Sequence, residues 1–192
     1  MIGTMVSDLT MSTAAVNADQ FVHQMKDLMA VDQNAGTGNV TVVADGKIED
    51  NDAGADYTGM AANVTAAGQV GTGANMIGTM VSDLTMSTAA VNADQFVHQM
   101  QDLSAVNQNA GTGNVTVVAD GKIEDNDAGA DYTGMAANVT AAGQVGTGAN
   151  MIGTMVSDLT MSTAAVNADQ FVHQMKDLMA VDQNAGTGNV TV

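Results

Sequence analysis

The chain has 192 residues, 45% of them hydrophobic, which is enough to build a core and argues against disorder. Four Lys, no Arg and 21 acids give a net charge of -17, so a phosphate backbone or an anionic membrane surface would repel it. The absence of Cys excludes disulfides, thiolate catalysis and Cys-based zinc sites, and no apolar run approaches the roughly 18 residues of a helical membrane span.

Residues 1–75 recur as 76–150 with three changes (Lys26 to Gln101, Met29 to Ser104, Asp32 to Asn107), and 151–192 repeat 1–42 unchanged. The organisation is therefore repeat 1 (1–75), repeat 2 (76–150) and a partial repeat 3 (151–192). A period of this length marks units that stack on their neighbours. The chain opens and closes on the same block with no polar cap, so its ends are expected either to continue a longer array or to meet other copies head to tail.

Met1-Ile2-Gly3-Thr4 has neither a basic nor an apolar leader, so any export signal is expected outside these residues. Over Asn17–Asp32 helix and strand compete: Asn17 and Gln20 could form a capping box, and Phe21, Val22, Met25, Leu28 and Met29 recur at helical spacing. On such a helix Lys26, Met29 and Asp32, the three variable positions, would share one exposed side. His23, His98 and His173 are the only imidazoles, one per block, with no second His in the unit and no partners the sequence places for a Ser-His-Asp or metal site, and a surface or packing role is expected of them. The Asx-rich stretch Asp32–Asn39 reads as a turn.

Asn39–Ala44 is β-branched and runs into Asp45-Gly46, which predicts a strand and a tight turn. The loop that follows carries Asp45, Glu49, Asp50, Asp52 and Asp56, repeated as Asp120, Glu124, Asp125, Asp127 and Asp131. Calcium takes six to eight oxygens, and a carboxylate-dense loop can supply them, so this is the candidate ion site and Ca2+ the candidate cofactor. The alternative is a solvated turn whose acids aid solubility. An EF-hand is not expected, because Thr41 and Val43 stand where its first two ligands should be. Thr58–Asn75 reads as strand and loop.

A finer period links Asp8-Leu9-Thr10, Asp27-Leu28-Met29, Asn39-Val40-Thr41 and Asn63-Val64-Thr65, with steps of 19, 12, 24 and 20 residues to the next repeat. One rung of a parallel β-solenoid has about that mean length. Gly38–Ile48 and Ala62–Val70 resemble rungs of filamentous-haemagglutinin-type exoproteins, whose lines run G-N-V-T-x-x-A-x-G-x-I. That resemblance implies a parallel β-helix in a secreted bacterial adhesin. With no Trp and few other aromatics, Ala, Val and the sixteen Met are expected to fill the interior.

The fold expected is mainly β, a tandem-repeat parallel β-solenoid with room for one short helix per repeat, against an alternative of α+β units. The function expected is a non-enzymatic structural or adhesive module of an extracellular surface or matrix. It would stack into a rod or filament with copies of itself as partners, the alternative being a calcium-stabilised extracellular module.

Overall fold

The computed structural model describes residues 1–192 and consists of nineteen short strands joined by turns, with no helix. The first repeat forms β1 (Ile2–Thr4), β2 (Asp8–Ser12), β3 (Gln20–Gln24), β4 (Ala30–Asn34), β5 (Asn39–Ala44), β6 (Tyr57–Thr58) and β7 (Ala61–Ala66). The second forms β8 (Ile77–Met80), β9 (Asp83–Thr88), β10 (Gln95–Gln99), β11 (Ala105–Asn109), β12 (Val115–Ala119), β13 (Tyr132–Thr133) and β14 (Ala136–Ala141). The last block adds β15 (Ile152–Met155), β16 (Asp158–Thr163), β17 (Gln170–Gln174), β18 (Ala180–Asn184) and β19 (Val190–Thr191). Odd-numbered strands make a ten-stranded parallel sheet and even-numbered strands a nine-stranded one, so every turn of the chain lays one strand on each. This is the parallel β-solenoid expected from the sequence, with about nine turns.

Successive side chains of a strand point to opposite faces. In β5 Val40, Val42 and Ala44 are buried while Asn39, Thr41 and Val43 face out, and in β7 Ala62, Val64 and Ala66 are buried. Parallel pairing stacks like on like, so Val42, Val64 and Met86 form one inward column. A second column, Leu28, Ile48 and Val70, closes a corner through isolated parallel bridges and is fully buried. The resulting core is one cluster of 34 residues that runs unbroken across both repeat junctions. Burial of each Val, Leu or Ile contributes about 1.5–3 kcal/mol.

Seven strands make one sequence repeat, and two strands make one turn, so the 75-residue unit spans three and a half turns. β8, the counterpart of β1, therefore lies in the opposite sheet, and β15 returns to the first. Equal sequences alternate between the two faces of the solenoid. The turn itself is longer than the inner period suggests, because register partners stand 20, 22 or 24 residues apart, as in Ile2 with Val22, Asp8 with Ala30 and Gln33 with Tyr57. Asp27-Leu28-Met29 is the segment that misleads the count: it is a corner, not a strand.

Over Asn17–Asp32 the strand reading wins and the helix is absent. Gln20, Val22 and Gln24 point inward while Phe21 faces out, a period of two imposed by pairing with β5 on one side and β1 on the other. Phe21, Met25 and Met29 of the apparent helical stripe are about half exposed. Asn17 adopts φ 55°, a left-handed turn conformation that Asn tolerates, and its N–H donates to Thr37 Oγ1 on the next turn. The stripe of variable positions is not helical either, although Lys26, Met29 and Asp32 are exposed as expected. Methionine is mainly not a core filler: of the sixteen, only Met86 and Met161 are fully buried.

Glutamine does unexpected work inside. Gln20 of β3 donates from Nε2 to Asn34 O at the end of β4, and Gln95 and Gln170 do the same to Asn109 and Asn184, at 2.8, 2.8 and 3.0 Å. Each of these bonds ties one sheet to the other across the core. Gln99 accepts from Thr79 Oγ1 and donates to Val81 O, at 2.5 and 2.6 Å. Gln33 and Gln108 are equally buried, but neither amide atom has a partner, and each stacks beside a buried tyrosine, Tyr57 or Tyr132, whose hydroxyl also has none. Gln99→Leu is expected to lower stability by about 1–3 kcal/mol, since it orphans the Thr79 hydroxyl, whereas Gln33→Leu removes only an unbonded amide and is expected to be neutral or stabilising. Urea denaturation of the two variants checks this, and equal losses would show that shape rather than bonding decides.

Candidate functional site

The acidic loop joins β5 to β6 and is shaped by its own carboxylates. Asp45 accepts from or shares a proton with His23 Nε2 at 2.9 Å, and Glu49 accepts from Lys47 Nζ at 2.7 Å, which holds the Lys47 ammonium above its ordinary pKa. Asp50 Oδ1 accepts the N–H groups of Asn51 and Asp52, and Asp52 Oδ1 that of Gly54, so both close Asx-type turns. Asp56 is buried and accepts the N–H of Gly78, one turn further on, at 2.6 Å. The second copy repeats this: Asp120 with His98, Glu124 with Lys122, Asp125 and Asp127 in turns, and Asp131 with Gly153. The fold thus draws Asp50 and Asp56 together with Asp52 nearby, and gives Asp45 and Glu49 cationic partners of their own. No three His, Asp or Glu side chains converge at metal-ligating distance. Of the Asp32–Asn39 stretch read as a turn, Asp32–Asn34 belong to β4 and Asn39 opens β5; the turn between them is closed by the chain itself, since Asn34 Oδ1 accepts the N–H of Gly36, whose φ is 59°.

The histidines lie on the outer faces. His23 and His98 each pair with the aspartate of the next turn, and His98 stands beside Gly78 in the ladder, as His173 does beside Gly153. Outside the loops each sheet carries a ladder of small polar groups, Thr41, Asn63, Thr85 and Asn107 on one and Thr116, Asn138 and Thr160 on the other. Sequence reasoning missed these ladders because their members come from different strand types, and only the register aligns them.

The terminal turns expose what the inner turns bury. Ile2 and Val6 are 55% and 40% exposed while their counterparts Ile77 and Val81 are fully buried. At the other end Val181 is 57% exposed against 4% for Val106. The backbone edges of β1, β2, β18 and β19 are likewise unpaired on one side.

Fold and surface together define a tandem-repeat parallel β-solenoid whose building rule is stacking. Set against protein-family models, curated proteins and solved structures, the chain matches none.

Burial pushes the Asp56 carboxyl up to about 8; the Gly78 N–H opposes the rise, and Asp50 and Asp52 add to it. Asp131 is raised to about 8 for the same reasons. An acid whose folded pKa exceeds its unfolded value makes the folded state bind the proton more tightly between the two. Stability from this source is therefore full below pH about 4 and is lost as the pH rises to about 8. Thermal melts at pH 5 and pH 8.5 are expected to differ by several degrees in favour of the acid side. The double variant Asp56→Asn and Asp131→Asn, which keeps the acceptor for Gly78 and Gly153, is expected to lose most of that difference.

Proposed function

We propose that the chain is a non-catalytic stacking module of an extracellular surface or matrix, which lengthens into a rod or filament and serves adhesion or assembly. The observation that carries this reading is the repeat junction. β7 pairs with β9 and β6 with β8 by the same in-register parallel ladders that join turns within a repeat, so one unit meets the next through an ordinary turn-to-turn contact. The exposed columns at Ile2 and Val181 are the surfaces a further rung of this kind would cover. Strong negative charge fits a surface setting, since it keeps rods apart sideways while backbone pairing joins them end to end.

Sedimentation over a wide concentration range tests this. Concentration-dependent linear species are expected, growing with salt as the like charges are screened. Ile2→Asp with Val181→Asp, at sites already exposed in the single chain, is expected to leave a folded monomer. A strictly monomeric parent at high concentration overturns the proposal.

A second reading, calcium stabilisation, is favoured by one observation: Asp50 and Asp125 are buried, and each lies against a second buried carboxyl, Asp56 or Asp131. Calcium there would displace the proton held by Asp56 or Asp131 and draw on Asp52 or Asp127. Melting at pH 7.5 with calcium and with chelator is expected to give a higher midpoint in calcium, and coincident melts remove the ion from the account.

A further inference from the structure

We propose that His98 with Met76 and Met100, and His173 with Met151 and Met175, form two sites for a soft monovalent cation of the copper(I) class. In the ladder Gly78 is the partner of His98, and the Met100 N–H bonds Thr79 O at 2.8 Å, which sets Met100 one step along the same edge. Gly78 leaves a gap beside the imidazole. A Cβ there would lie 2.9 Å from Met100 Cε, so the thioether arm lies over Gly78, the ladder partner of His98. It would also collide with the carbonyl of Gly54, because the Asp52–Gly54 turn of the preceding acidic loop arches over the same glycine. Together with Met76 these groups line an open cleft of about 260 Å³, and the second copy lines one of about 190 Å³ with His173, Met151 and Met175. Both are smaller than the roughly 300–1,000 Å³ typical of organic-ligand pockets, which suits an ion.

The donor set selects the ion. Asp120 Oδ1 lies 3.1 Å from His98 Nε2, a partner for the N–H of the tautomer whose Nδ1 is the metal ligand. One imidazole nitrogen and two thioethers make a soft ligand set, which favours copper(I) over calcium or magnesium. Asp52 in the wall of the first cavity and Asp127 in the second add negative charge, and no Lys lines either. Placing methionine here has no packing rationale, since the interior is filled by aliphatic residues and all four of these methionines are only partly buried.

Residues 1–192 hold two complete copies of this arrangement, at His98 and at His173, each under the acidic-loop turn of the preceding unit, so two ions are expected on them.

Silver(I), which has the same ligand preference and no redox chemistry, is the probe. Native mass spectrometry is expected to show two bound ions in a large excess of zinc(II), and NMR to show shifts at the methyls of Met76, Met100, Met151 and Met175. Met76→Leu with Met100→Leu, which preserves shape, is expected to leave one ion, and His98→Ala to weaken the first site tenfold or more. No silver bound, displacement by zinc, shifts spread evenly over all methionine methyls, or unchanged binding in the leucine variant would each overturn the assignment.

Discussion

Parallel backbone pairing between a strand and its counterpart 20 to 24 residues later is the interaction on which the rest of the molecule depends. Once it forms, N–H and C=O groups of neighbouring turns satisfy one another and each strand is held extended. Side chains then alternate strictly, so Val22 must enter the core and Phe21 must leave it, whatever helical spacing the local sequence offers. The interior between two sheets of short strands is shallow. Ala, Val, Leu and Ile fill it in columns, and the large residues that do enter, such as Tyr57 and Tyr132, come at two-residue strands.

The half-integral number of turns per repeat has consequences beyond geometry. The acidic loop of the first repeat leaves the ten-stranded sheet and that of the second leaves the nine-stranded sheet, so the two densest patches of charge sit on different edges of the solenoid. With a net charge of -17 that separation relieves repulsion which a whole-number repeat would concentrate on one side. The same half turn places His98 and His173 on opposite faces. A longer array built by this rule would show every loop and every cavity alternately on either side.

Polar groups in the interior divide into those that bind the sheets together and those that do not bond at all. Gln20, Gln95 and Gln170 reach from one sheet to a carbonyl of the other, and so fix the spacing between them. Asp56 links its loop to the backbone of the following turn at Gly78, which ties the longest irregular segment to the regular stack. Gln33 and Gln108 carry the desolvation cost of a buried amide without an intramolecular return.

Much of this is legible in the sequence. The exact recurrence of 75 residues, the Asn39–Ala44 strand and the Asn/Gly/Asp corners point to a β-solenoid because they are local or periodic signals, although Asp45-Gly46 is an open bend bonded to the neighbouring turn and not the tight turn expected. The acidic loop was visible as composition, but not that Asp45 and Glu49 would be taken by His23 and Lys47 while Asp50 and Asp56 went inside. The competition between helix and strand over Asn17–Asp32 stayed open in the sequence because both periods fit that stretch, and only partners 20 residues away choose between them. Sequence alone determined the repeat, the charge and the β character, each of which is written in neighbouring residues. Tertiary structure alone decided the three and a half turns, the polar ladders and the meeting of His98, Met76 and Met100, because these depend on register between segments one turn or more apart.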